Sequence, residues 1–246
     1  MYEGFAALYD ALMDDVDYAG WVDYYLALMA YAGLHPARAA ECACGTGSLT
    51  VGFARAGIAM TGVDASEDML RLAGQKARAA GVRIPFICQD MRALALHRPV
   101  DAVLATCDGV NYLCSPAAVQ AFLGAAYRAL RPGGGLFFDV SSRYKLQTVL
   151  GDAFYGETRE DMAYLWRNAY DGGRALLTMD LTFFVRRADG GYDRFDEVHR
   201  QRAHTQAELT QWLAQAGFVD IRIYGERTFE PPAPHAQRLH ASALRP

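Results

Sequence analysis

With 246 residues, 52% of them apolar and 21% charged, the chain has material for a full core and too little charge for a disordered polymer. Its formal charge of −4, spread without a block of like sign, argues against a protein built to grip a nucleic-acid backbone. Five cysteines, an odd number without a Cys-x-x-Cys pair, exclude a disulfide framework, and no run approaches the roughly 18 apolar residues of a membrane span. The first residues lack the basic and apolar regions of a signal peptide, so a cytoplasmic chain that avoids the membrane is expected. Only two lysines occur, Lys76 and Lys145; beside the many alanines they read as composition bias.

Tyr9 to Leu34 reads as one or two helices, with Trp21, Tyr24, Leu28 and Tyr31 at helical spacing; residues 1–36 thus form a helical cover. From Arg38 short apolar runs alternate with helical periods, the pattern of a doubly wound α/β sheet. Strands are predicted at Arg38–Ala43, Ile58–Asp64, Ile84–Gln89, Val100–Thr106 and Leu136–Val140, with helices at Ser48–Ala56, Glu67–Ala80 and Ala117–Leu130. Ser115 caps the last of these with Pro116 at its first position, and Arg131-Pro132-Gly133-Gly134-Gly135 ends it. The period then changes. Ala163–Tyr170, Ala175–Val185 and Tyr192–Ala203 read as three antiparallel strands, turned by Asp171-Gly172-Gly173 and Asp189-Gly190-Gly191. This insert, residues 152–203, is too long for an ordinary loop. A capping box at Thr205–Glu208 opens a helix to Ala216, and strands at Phe218–Tyr224 and Leu239–Leu244 complete a seven-stranded sheet within a single domain, 1–246.

Three carboxylates fall where such a sheet places ligands. Glu41 precedes Gly45-Thr46-Gly47, Asp64 ends the second strand, and Asp90 follows the third. The carboxyl ends of neighbouring parallel strands share one crevice, so these acids line one rim. Asp64 suits a pair of ribose hydroxyls, and Gln89, Asp90 and Met91 suit the edge and face of an adenine. Thr50 stands where a nicotinamide fingerprint needs a third glycine, and no Gly-Lys-Ser/Thr follows to make a P-loop. Cys42 and Cys44 lack the second Cys or His pair of a zinc site, so no metal is expected.

Together, Glu41…Gly45-Thr46-Gly47, Gly62-Val63-Asp64-Ala65-Ser66…Met69-Leu70, Gln89-Asp90-Met91-Arg92 and Leu130-Arg131-Pro132-Gly133-Gly134 resemble the class I S-adenosylmethionine-dependent methyltransferases. The likeness extends over nearly the whole chain to a small-molecule branch that includes amino-sugar N,N-dimethyltransferases and bacterial methyltransferases of unassigned acceptor. Cys107-Asp108-Gly109-Val110-Asn111-Tyr112-Leu113 and Leu181-Thr182-Phe183-Phe184-Val185 resemble the latter group more closely. Ala43 departs from the pattern where many members have the first glycine.

The resemblance implies a Rossmann-like seven-stranded α/β fold and an S-adenosylmethionine cofactor leaving as S-adenosylhomocysteine. It further implies that Glu41 holds the loop and, directly or through water, the methionyl amino group, that Ala43 and Gly45 pass close to the cofactor, and that Asp64 takes the ribose. Ala65, Met69, Gln89, Asp90 and Met91 would surround the adenine, and Cys107 would lie by the methionyl part. Tyr9 and Trp21 would close over the cofactor, with a segment like Phe5-Ala6-Ala7-Leu8-Tyr9-Asp10 as cover.

Methyl transfer is an in-line displacement that needs alignment and a dry pocket more than a triad. Asp108, Asn111 and Tyr112, just past the fourth strand, are candidates to meet the acceptor, with Tyr112, Asp108 and His199 as groups that could orient it or take its proton. The expectation is methylation at nitrogen or oxygen of a small molecule; the oligomeric state is not legible. A cofactor-using enzyme of another reaction type and a non-catalytic cofactor sensor remain the alternatives.

Overall fold

The computed structural model describes residues 8–10 and 12–246. A helix, α1 (Tyr18–Tyr31), leads into an alternating series: β1 (Arg38–Cys42), α2 (Ser48–Arg55), β2 (Ala59–Asp64), α3 (Glu67–Ala79), β3 (Phe86–Cys88), β4 (Val100–Ala105), α4 (Pro116–Ala129) and β5 (Leu130–Ser141). After an intervening segment come α5 (Gln206–Gln215) and two last strands, Val219–Gly225 and Arg238–Leu244. The seven strands order as β3-β2-β1-β4-β5, then Arg238–Leu244, then Val219–Gly225. Only Arg238–Leu244 runs antiparallel to its neighbours. The chain leaves β1 toward β2 on one side and later crosses to β4 on the other. The crevice over the carboxyl ends of β1 and β4 is therefore the topological switch point, where open α/β sheets bind ligands.

Alternation within strands builds both faces of the core. Ala40, Val103 and Phe138 pack toward Phe122, Leu123 and Trp212 of α4 and α5. Their neighbours Ala39, Ala102 and Phe137 point the other way, to Tyr25, Leu28 and Phe53 of α1 and α2. The end signals act as the sequence implies: the Ser115 hydroxyl accepts the Ala118 N–H beside Pro116, and Thr205 and Glu208 form the reciprocal box. Behind that box Arg202 bridges Glu208 and His204 and lies over Trp212.

The intervening segment differs from the expectation. It forms a four-stranded antiparallel sheet, not a three-stranded one: β6 (Phe154–Thr158), β7 (Met162–Asp171), β8 (Leu176–Arg186) and β9 (Tyr192–Arg202). The unforeseen β6 is a short edge strand with Gly156 at its centre and mostly exposed side chains, so it carries no apolar alternation to read. A π-helical stretch, Lys145–Leu150, also escaped the sequence pattern and carries the chain from β5 into this sheet. In chain order the last two strands of the large sheet are β10 (Val219–Gly225) and β11 (Arg238–Leu244).

Candidate active site

The turn after β1 is tightly determined. Gly47 caps α2 at φ +75°, and a Cβ there would stand 2.8 Å from that of Ala73, so only glycine fits. Ala43 occupies the left-handed region at φ +52° despite its side chain. The Asp64 carboxylate accepts the Gly45 N–H at 2.8 Å and the Ser66 N–H at 2.9 Å, joining the ends of β1 and β2. Burial pushes its pKa upward against those bonds, and its carboxylate lines the crevice. Beside it Ala65 is exposed, and Met69 and Met91 are buried. Gln89 Oε1 accepts the Ala95 N–H, and Asp90 is spanned by Arg92.

Glu41 does not face the crevice. It is buried, its carboxylate accepting the Thr50 and Thr106 hydroxyls, and desolvation raises its pKa to about 7. It braces β1 against α2 and the end of β4.

At the end of β4, Cys107 and Asp108 both take left-handed φ, +52° and +65°. Asp139, buried at the end of β5, accepts both of their N–H groups at 2.8 and 3.1 Å and a 3.2 Å bond from the Tyr25 hydroxyl. Arg238 then joins Asp139 to Asp108 and lies 5.0 Å over the Trp21 ring. Arg238 beside Asp108 holds that carboxyl below its ordinary value, while burial raises Asp139 to about 6. Asp108 is thereby an anchor of the β4 turn and not a free proton acceptor, and Trp21 is the platform under Arg238. Sequence reasoning missed Asp139 and Arg238, although an acid inside the apolar run Phe137-Phe138-Asp139-Val140 is a readable signal.

Asn111 also departs from its expected role. It is fully buried, and its amide binds Ser141 N–H, Ser141 carbonyl and Arg202 carbonyl at 2.8 to 3.0 Å, tying the turn to β5 and β9. Asn111 is not among the residues that line the cleft. Tyr112, by contrast, is 48% exposed in the crevice, and its hydroxyl lies 3.4 Å from Nδ1 of the buried His199. The rings meet edge to face at 5.9 Å. Burial lowers the His199 pKa, keeping a neutral imidazole near neutral pH.

The N-terminal segment closes one end. Leu8, Tyr9 and Leu12 pack with Met69, Met162 and Phe183, bridging α3 and the smaller sheet. Lys76 fastens it, donating to Asp10 at 2.7 Å, Thr46 at 2.8 Å and Ser48 at 2.6 Å. Neither lysine is mere composition, since Lys145 also lines the crevice. Phe5, Ala6 and Ala7 of the expected cover lie outside the described residues.

These pieces enclose a cleft of about 1330 Å³. One wall carries Ala43, Gly45, Asp64, Ala65, Met69 and Gln89–Met91; the other carries Trp166, Met179, Leu181, His199 and Gln201 from β7–β9. Cys107, Asp108 and Tyr112 stand between, with Tyr9 and Trp21 at the rim.

The chain matches a family model described as a methyltransferase domain over residues 39–134. It is 37% identical over 239 residues to a Geobacillus sp. (strain WCH70) protein, GWCH70_2453, which bears a methyltransferase name without an acceptor. The match covers 97% of each chain. This chain belongs to the class I S-adenosylmethionine-dependent methyltransferases. The crystal structure of such a methyltransferase from Clostridium acetobutylicum ATCC 824 superposes with a TM-score of 0.89 at 28% identity, over 99% of this chain and 98% of that one. CalS10 of Micromonospora echinaspora, an amino pentose methyltransferase solved with S-adenosylmethionine, shares the fold at a TM-score of 0.73 and 23% identity, over 97% of each chain.

The cofactor of this methyltransferase is S-adenosylmethionine, and the cleft fits it. The Asp64 carboxylate suits hydroxyl donors, the two methionines suit a flat base, and the bare Gly45, with no atom within 4 Å of a built Cβ, leaves the loop open to close approach.

Proposed function

We propose that this methyltransferase transfers a methyl group to a nitrogen or oxygen of a small-molecule acceptor held between the β4 turn and the β7–β9 sheet. The observation that carries this reading is the two-walled cleft: at about 1330 Å³ it exceeds the roughly 300–1,000 Å³ of a pocket for one ligand, and its walls differ in chemistry. Asp64 would hold the ribose, Ala65, Met69, Gln89, Asp90 and Met91 the adenine, and Ala43, Gly45 and Cys107 the methionyl part. When bound, the cofactor supplies an electrophilic methyl carbon on a sulfonium.

The chain's own work is alignment, exclusion of water and removal of one proton. Tyr112 orients the acceptor atom through its hydroxyl, and neutral His199, in contact with that hydroxyl, takes up the proton the acceptor loses. Tyr9 and the N-terminal segment, fastened by the Lys76–Asp10 pair, keep water from the cofactor end. An amine such as that of the amino pentose acted on by CalS10 and a hydroxyl compound both meet these requirements.

The test is incubation with S-adenosylmethionine labelled in its methyl group and the metabolite fraction of a bacterial extract. Label appearing on nitrogen or oxygen of a small molecule, with S-adenosylhomocysteine formed in equal amount, is the expected result. Label found only on protein or RNA added in parallel overturns the reading.

A further inference from the structure

Strand β9 turns alternate side chains toward the cleft, and His199 and Gln201 both line it, 7% and 6% exposed. His199 is engaged with Tyr112. Gln201 is different: among the described residues no hydrogen bond reaches its carboxamide. Two other buried amides close by show the contrast. Asn111 spends both ends on backbone, and Asn168 accepts from the Trp166 indole and donates to the Leu150 carbonyl at 3.1 Å. A primary amide offers two donors and two lone pairs. With no partner for them among the described residues and the cleft in front, that capacity is available to a ligand.

The surroundings define that ligand. Met179 lies diagonal to Gln201 across the β8–β9 pair, Leu181 and Phe183 continue the apolar lining further along β8, and Trp166, its N–H already given to Asn168, offers only its ring. None of the described residues lining the cleft from β7, β8 or β9 carries a charged side chain, so this wall favours a neutral, flat body. A polyhydroxylated sugar would strand hydroxyls against it. Residues two apart on a strand are separated by about 7 Å, so polar groups read at His199–Tyr112 and at Gln201 lie roughly one six-membered ring apart.

We propose that Gln201 is a specificity-determining residue, and that the acceptor is an uncharged, largely apolar ring compound carrying a second hydroxyl, carbonyl or amino group across the ring from the methylated atom. This rests on the methyltransferase reading of the cleft.

The experiment titrates the protein saturated with S-adenosylhomocysteine with 4-aminophenol, phenol and glucosamine, followed by ligand-observed NMR. 4-Aminophenol should bind about tenfold more tightly than phenol, the worth of one neutral hydrogen bond, and glucosamine most weakly. Gln201→Met, an apolar near-isostere, should abolish that preference while leaving S-adenosylhomocysteine affinity unchanged and the ligand-free Tm equal or higher. The inference is overturned if the preference survives in Gln201→Met, if that variant loses several degrees of Tm as a structural residue would, if glucosamine binds best, or if no probe binds at millimolar concentration. Failure of S-adenosylhomocysteine itself to bind overturns the reading of the cofactor wall first, and the inference with it.

Discussion

The two walls of the cleft are built on opposite plans. On the wall of β1–β3 nearly every polar side chain is already engaged: Asp64 with two backbone N–H groups, Gln89 with Ala95, Asp90 with Arg92, and Glu41 behind them with two threonines. On the wall of β7–β9, His199 meets Tyr112, Gln201 is uncommitted, and the remaining surface is mostly apolar. The first wall is preorganised by its own backbone for one ligand. The second keeps hydrogen-bonding capacity in reserve, which is how a shared fold serves different acceptors.

The largest effect should come from the cluster that joins the walls. Arg238→Ala leaves Asp108 and Asp139 buried without their cation, and urea unfolding should show a loss of about 3–5 kcal/mol. On the preorganised wall, Asp64→Ala removes the acceptor of two charge-assisted bonds. It should weaken S-adenosylhomocysteine binding by about a hundredfold in calorimetry, while the same change in the open wall, Gln201→Ala, leaves that affinity intact.

His199→Asn should cut kcat by about a hundredfold with cofactor affinity kept, and Tyr112→Phe by about tenfold. Because burial lowers the imidazole pKa, the acid limb of the rate profile should lie below the ordinary histidine range. Rates that fall in parallel with cofactor affinity would erase the distinction between the walls.

Glu41 gives a pH test of the brace. Its folded pKa of about 7 exceeds its ordinary 4.5, so the folded state binds more protons in that window and wild-type stability is lost as pH rises through it. Glu41→Gln should therefore gain Tm relative to wild type between pH 5 and pH 8. Two of the buried histidines act oppositely: His204 and His240, lowered to about 4 and about 3, withdraw stability as pH falls below 6.5. The smallest effect is Ala43→Gly. Relief of left-handed strain, about 1–2 kcal/mol, is offset by glycine's added chain entropy, about 0.5–1 kcal/mol, so unfolding should show a gain of at most about 1.5 kcal/mol.

Legibility followed the same division. Asp64, Met69, Gln89–Met91 and the glycines of the β1 turn were readable because a parallel sheet sends consecutive strand ends to one rim, and short spacing fixes which residues arrive there. Asn111 misled because a polar residue past a strand end looks alike whether it meets substrate or ties three backbones together. Gln201 was invisible because a glutamine inside an antiparallel strand signals nothing until its neighbours leave it without partners.

The sequence by itself determined the strand and helix order of the large sheet, the caps at Ser115 and Thr205, the glycine turn after β1, and hence the family and cofactor. These are local: each depends on a few adjacent residues and the fixed hand of βαβ connections. Only the tertiary structure decided that Arg238 meets Asp108 and Asp139, 130 and 99 residues earlier in the chain, that Lys76 fastens Asp10, and that Tyr112 stands against His199. Such contacts depend on how separate elements are placed in space, and charge or polarity along the chain carries no record of which partner will arrive.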